Sequence, residues 1–257
     1  MPVSRANIDE AEVARFAALA SKWWDANGEF RPLHLLGRPR LAFIKDQMIG
    51  HFGKPVSEIS DDLGVPLPLQ GLKILDIGCG GGLVCEPLCR MGAQVWGIDP
   101  AMDNIKAAKT HACIDELPIT YRAMTVEDMA ETGTVFDAVI SLEVIEHVPD
   151  QKAFLGECAR LVRPGGMFIL STLNRTLKSY ALAIVAAEYI LDWVPRGTHD
   201  WQRFVSPDEM STMLLSCGMR EPTFNGLSYD PIGDIWQLSK DFSVNYLAAS
   251  TKPEAIA

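Results

Sequence analysis

The sequence of 257 residues is short of the features that mark several large protein classes. It has no cluster of lysines and arginines, and 23 basic against 33 acidic side chains leave a formal net charge of −10. Nucleic acid is bound where grouped cations displace counterions from the phosphates, so it is excluded as the main partner. The six cysteines (Cys79, Cys85, Cys89, Cys113, Cys158, Cys217) form no C-x-x-C pair and no zinc-finger spacing. Reduced thiols follow, with Cys85 and Cys89 on one helix face as core. The start, "MPVSRANIDEAEVARF", lacks an apolar h-region and carries Asp9, Glu10 and Glu12, against a secretory signal or a basic transit peptide. A cytoplasmic, bacterial-type location is expected. The longest apolar stretch, "YALAIVAAEYILDWVP" (Tyr180 to Pro195), is interrupted by Glu188 and Asp192 and falls short of the ~20 residues that span a bilayer. No internal repeat or low-complexity tract is present.

What is there is an ordinary globular composition, 48% hydrophobic and 22% charged, in a chain long enough to bury a full core. Val13, Phe16, Ala17, Ala20, Trp23 and Trp24 recur at helical spacing, predicting a helix from near Asp9 that ends before Asn27-Gly28. A second helix is expected from about Arg40 to Ile49. The polar "HFGKPVSEISDDLGVPLPLQG" reads as a connector, which divides the chain into a helical extension over 1–70 and a main domain over 71–257. In that domain "LKILDIG", "AQVWGID", "ITYRAM", "FDAVISL" and "MFILSTL" are strand-like, and the segments after Gly81, Ala101, Thr125 and Asp150 are helical. Alternation of this kind predicts an α/β fold, a mostly parallel twisted sheet with helices on both faces and ligands at the carboxyl ends of the strands.

"DIGCGGG" at the end of the first strand supplies Gly78, Gly80 and Gly82, which let main-chain N–H groups approach a ligand at a helix start. The dinucleotide fingerprint needs a further glycine at position 83, which is leucine. Asp99 arrives 21 residues after Gly78, where a carboxylate accepts both hydroxyls of a ribose. Asp76, inside the first strand, is expected to order the glycine loop through its N–H groups. A nucleoside cofactor other than a nicotinamide dinucleotide is the reading these residues favour.

"LDIGCGGG", "GIDP", "FDAVISLEVIEHVPD" and "LVRPGGMFILSTLN" resemble the successive motifs of class I S-adenosylmethionine-dependent methyltransferases, over roughly residues 71 to 174. Outside that core, "FAALASKWWDANGEFRPLHLLGRPRL", "STLNRTLKSY", "AAEYILDWVPRGTHDW" and "GLSYDPI" resemble the ubiquinone-biosynthesis O-methyltransferases nearly end to end. The resemblance implies a Rossmann-like fold and S-adenosylmethionine as methyl donor. It also implies ring hydroxyls of polyprenyl phenols and catechols as acceptors, in two separate methylation steps. Cofactor contacts carry over to Arg40, Gly78, Asp99 and Leu142, to which the glycine-loop argument adds Asp76 and Gly80. Methylation of another small phenolic or lipid substrate, or a non-catalytic role in a biosynthetic complex, are the alternative functions.

Glu143, Glu146 and His147 sit at i, i+3 and i+4, which on a helical turn would aim two carboxylates and an imidazole at one divalent cation, magnesium or zinc. In the alternative, the same histidine only orients neighbouring groups. A phenol, with a pKa of about 10, needs a base or a metal to lose its proton. His147 and His199, the latter in "GTHDW", are the candidate bases. Residues 175–204 form an apolar insertion. Within it Lys178 to Pro195 is expected to be a helix resting on the inner membrane by peripheral contact, where a polyprenyl tail resides; packing of the same stripe on the sheet is the alternative. Membrane lipid and other proteins of ubiquinone synthesis are thus expected partners.

Overall fold

The computed structural model describes residues 7–53, 67–182, 200–230 and 232–255. Helix α1 (Glu10–Ala18) is capped by Asp9, whose side chain accepts the N–H groups of Ala11 and Glu12, and Glu10 and Glu12 face the positive end of its dipole. A 3₁₀ turn, Ala20–Lys22, carries the chain to the paired tryptophans. Helix α2 runs from Arg31 to Phe52 and ends on Gly53 in the left-handed conformation (φ 67°). It starts well before the expected Arg40. Pro32 in its first turn costs no hydrogen bond, and Pro39 is accommodated inside the helix, where prolines usually terminate one.

The α/β alternation is observed. Strands β1 (Lys73–Ile77), β2 (Gln94–Asp99), β3 (Thr120–Ala123), β4 (Phe136–Leu142) and β5 (Val162–Leu173) run parallel. They alternate with α3 (Cys85–Arg90), α4 (Met102–Ile114), α5 (Val126–Glu131) and α6 (Gln151–Leu161). The α5 start is a reciprocal capping box between Thr125 and Asp128, and Asp150 caps α6. Beyond β5 lie the short helix α7 (Leu177–Ser179), helix α8 (Pro207–Ser216) and strands β6 (Thr223–Asp230), β7 (Ile235–Ser239) and β8 (Asn245–Thr251). The sheet order is β3-β2-β1-β4-β5-β8-β6-β7, with β8 antiparallel to β5 and to β6. The three late strands therefore add an antiparallel edge to the parallel sheet.

Each face of the sheet buries its own cluster. Leu75, Val139, Phe168 and Tyr246 pack against α5, α6 and α8 on one side, and Ile74, Ile140, Ile169 and Leu247 against α2, α3 and α4 on the other. Strands buried on both faces read as continuous apolar runs, as "FILSTL" and "AVISL" do. The fully buried Tyr246 hydroxyl donates to the carbonyl of Val205 (3.0 Å), which meets the need of a buried polar group for a partner.

Candidate active site

A cavity of about 960 Å³ opens at the carboxyl ends of β1, β2, β4 and β5, under a roof made by α1 and the start of α2. Arg40, Asp76, Gly78, Gly80, Asp99 and Leu142, all expected at the cofactor, line it. So do Glu143, Glu146 and His147. His199 and most of the Lys178–Pro195 segment lie outside the described residues.

Gly78 and Gly80 adopt φ 72° and 52°, a region open to glycine at little cost. A Cβ on Gly80 would fall 2.4 Å from the Trp23 indole, and one on Gly78 2.5 Å from Val144. The loop is thus bare enough for an aromatic ring to lie against it. Trp23 is held there by stacking on Phe30 (centroids 3.9 Å apart) and by donating Nε1–H to Asn104 Oδ1 (3.0 Å). Trp24 Nε1–H donates to the carbonyl of Gly81 (3.0 Å). "WWD" is therefore the clasp between the N-terminal extension and the glycine loop, a role its resemblance marked without explaining.

The loop is ordered by Asp99, not by Asp76. Asp99 Oδ2 accepts the Gly80 N–H (3.1 Å), while Oδ1 accepts the Ala101 N–H (2.8 Å) and Asn104 Nδ2–H (3.2 Å). Burial raises the Asp99 pKa against the lowering effect of these three bonds. Asn104 escaped sequence reading, although its place in the first turn of α4, five residues after Asp99, was a usable signal.

Asp76, buried inside β1, accepts the Cys85 thiol on Oδ2 (3.2 Å). Burial first, with some help from Asp99, pushes its pKa up to about 7 against that thiol bond. The native state then holds a proton that the unfolded chain releases near pH 4. Asp76 contributes stability fully below about pH 4, and the contribution is lost as pH rises toward about 7. Asp76→Asn keeps the acceptor and removes the titration. Relative to wild type it is expected to gain about 1.4 kcal/mol of stability per pH unit through that window, followed by urea unfolding from pH 4 to 8. Parallel curves for the two proteins would refute the assignment.

At the other side of the cavity Arg40, only 4% exposed, pairs with Glu143, whose Oε1 also accepts the Ser171 hydroxyl (2.8 Å). Among the described residues the Arg40 Nε is buried without a hydrogen-bond partner. Glu146 is buried. Its Oε2 accepts the Thr172 hydroxyl (3.0 Å), and its carboxyl also hydrogen-bonds that of Glu143. Burial, reinforced by the Glu143 charge, raises its pKa well above the ordinary carboxylate range. His147 turns instead to α1. Its Nδ1 lies 2.8 Å from Glu12 Oε2, and its ring meets Phe16 edge to face. Glu12 was not anticipated, because nothing local connects it to a residue so far along the chain.

The expected convergence of Glu143, Glu146 and His147 is corrected by this geometry. Glu143 closes β4 in the left-handed region (φ 53°) and Ile145–His147 form a 3₁₀ turn, so the three do not share the face of an α-helix. Glu143 is paired with a guanidinium, and His147 Nδ1 is turned to Glu12. Among the described residues no three His, Cys, Asp or Glu side chains are grouped to hold an ion. This donor set does not fit a divalent cation.

A family model described as a methyltransferase domain matches residues 75–170. The magnesium protoporphyrin IX methyltransferase of Synechocystis PCC 6803, solved with SAH bound, superposes with TM-score 0.61 at 18% identity, over 95% of this chain and 94% of that one. A possible histamine N-methyltransferase from Thermotoga maritima gives TM-score 0.62 at 14% identity, over 94% and 98%. These two likenesses establish the fold, that of S-adenosylmethionine-dependent methyltransferases. The ubiquinone biosynthesis O-methyltransferase of Sinorhizobium medicae is 47% identical over 97% of this chain and 98% of its own length. That of Cereibacter sphaeroides is 47% identical over 96% and 97%. With such identity over nearly the full length of both chains, the chain belongs to the family of ubiquinone biosynthesis O-methyltransferases.

Proposed function

We propose that the protein transfers the methyl group of S-adenosylmethionine to ring hydroxyls of polyprenyl phenol and catechol intermediates, in both O-methylation steps of ubiquinone synthesis, the last converting demethylubiquinol to ubiquinol. The observation that carries this is one cavity with a nucleoside cradle at one end and a carboxylate-held imidazole at the other.

The residues fit the cofactor. Asp99 at the end of β2 offers a carboxylate to a ribose, Gly78 and Gly80 line the cavity with left-handed backbone and no Cβ, and the Arg40 guanidinium lines it as a partner for a carboxylate. Leu142 adds apolar contact at the end of β4. When bound, the cofactor supplies an electrophilic methyl on a positively charged sulfur. The protein's task is then to align an acceptor oxygen, exclude water and take a proton.

His147 is suited to the proton. With Nδ1–H donated to Glu12, the ring is fixed and Nε2 is left as the accepting nitrogen, the arrangement of a carboxylate-oriented general base. Roofing by α1 and the clasp of Trp23 and Trp24 keep water from the reacting centre. No helix among the described residues is long and apolar enough to cross a membrane. Access to a lipid-borne substrate is then by peripheral contact at the cytoplasmic side of the inner membrane through the 178–195 segment, near other proteins of the pathway.

Purified protein incubated with methyl-labelled S-adenosylmethionine and short-chain polyprenyl catechols is expected to yield the mono-O-methyl ethers, identified by mass spectrometry. Cofactor binding without methylation of any polyprenyl phenol or catechol would overturn the proposal.

A further inference from the structure

The first helix of the roof is joined to the body by polar contacts. Helix α1 has no buried residue. Its amino-terminal side is held by Glu12 on His147 (2.8 Å), by Asp9 near Arg203 (3.6 Å) and by the Asn7 side-chain oxygen, which accepts the Asp150 N–H (3.1 Å). A helix with so little buried surface opens locally at a free energy well below that of global unfolding. Trp23, just beyond it, is anchored differently. It is buried, stacked on Phe30, and donates Nε1–H to Asn104 Oδ1 (3.0 Å). Asn104, buried in the first turn of α4, in turn donates Nδ2–H to Asp99 Oδ1 (3.2 Å). Trp23, Asn104 and Asp99 all line the cavity.

Donors and acceptors along this chain have one possible order. A carboxylate only accepts and an indole N–H only donates, so the Asn104 amide serves both in a single orientation, nitrogen toward Asp99 and oxygen toward Trp23. Turned over, it sets oxygen against carboxylate and N–H against N–H. Asp99 therefore fixes the amide, and the amide fixes the roof. A ribose donating to Asp99 from the cavity holds that carboxylate in place. We propose that Asn104 is a positioning residue that passes occupancy of the cofactor site at Asp99 to Trp23, so that the roof docks when the site is filled and, through Glu12, sets His147 for the acceptor. The proposal rests on the cofactor and the base assigned above and adds the order in which the site is completed, cofactor first and acceptor second. Linkage makes the effect reciprocal. The docked roof tightens cofactor binding by the factor with which the cofactor favours docking.

Hydrogen exchange of the α1 amides, followed by mass spectrometry with and without S-adenosylhomocysteine, tests the relay. In wild type the ligand is expected to slow exchange in α1 by about fivefold or more, the low end of couplings between sites. Asn104→Ala and Trp23→Phe each cut the chain of hydrogen bonds, and the second keeps an aromatic ring for Phe30. At ligand concentrations that calorimetry shows to saturate each variant, both should keep the slowing in the glycine loop and lose it in α1. The double variant should behave as either single one, since both remove the same path. A wild type whose α1 ignores the ligand overturns the proposal, as does either variant in which the α1 protection survives. Should Asn104→Ala fail to fold or to bind, Trp23→Phe, which leaves Asp99 and Asn104 in place, decides by the same readout. A wild type that binds no S-adenosylhomocysteine removes the functional reading and the relay together; binding without an effect on α1 removes the relay alone.

Discussion

His147→Gln lowers kcat by about 10²–10⁴-fold, the span that positioned acid–base groups contribute, while the dissociation constant for S-adenosylmethionine stays near that of wild type. The split follows from where the ring sits. His147 is anchored on the Glu12 carboxylate of the roof and on Phe16, and it makes no contact with Asp99, Gly80 or Arg40, the groups expected to hold the cofactor. Glutamine keeps the polarity and approximate length but accepts no proton. Glu12→Gln is expected to act in the same direction and less strongly, because it leaves the imidazole in place and weakens only what orients it. Single-turnover kinetics with a polyprenyl catechol, alongside calorimetry for the cofactor, measures both. An H147Q enzyme with unimpaired kcat would give the proton to another group.

Arg40→Leu strikes the fold and the cofactor together. Removing one member of a buried ion pair costs about 3–5 kcal/mol because the other charge is left uncompensated. Glu143 keeps the Ser171 hydroxyl and has a side chain 22% exposed, so the lower end, about 3 kcal/mol, applies. For a chain of this length that corresponds to a fall in Tm of roughly 6–12 °C. The double variant Arg40→Leu/Glu143→Gln removes the stranded charge and should recover most of the lost stability. It should not recover affinity for S-adenosylmethionine, because the donor proposed for the methionine carboxylate is still missing. Thermal melts with calorimetry on both proteins test this. Recovery of binding in the double variant would show that Arg40 serves only to neutralise Glu143.

The sheet was legible because strands buried on both faces must be continuous apolar runs, and the helices between them carry their caps within a few residues, as Thr125 with Asp128 and Asp150 with Ala153 do. The glycine loop and Asp99 were legible for a related reason. Left-handed backbone demands glycine locally, and the next strand ends at a nearly fixed distance along the chain. The antiparallel edge was not, since β6 and β7 are partly exposed and all three late strands are stabilised by pairing whose partners are set only by register. The early start of α2 was missed because Pro39 reads as a helix end unless tertiary packing holds the turn around it.

The amino-acid sequence by itself determined the α/β alternation, the cofactor loop, the acidic residue after β2 and the family, all of which depend on residue type and short spacing. Tertiary structure alone decided which charged groups meet. Arg40 reaches Glu143 across 103 positions of sequence, and His147 finds Glu12 on the roof. Asp99 rather than Asp76 takes the Gly80 N–H. A carboxylate has no local signature for its partner. Spacing on an imagined helix grouped Glu143, Glu146 and His147 around an ion, whereas the left-handed turn at Glu143 and the 3₁₀ turn after it aim Glu143 at Arg40, Glu146 at Thr172 and His147 at Glu12.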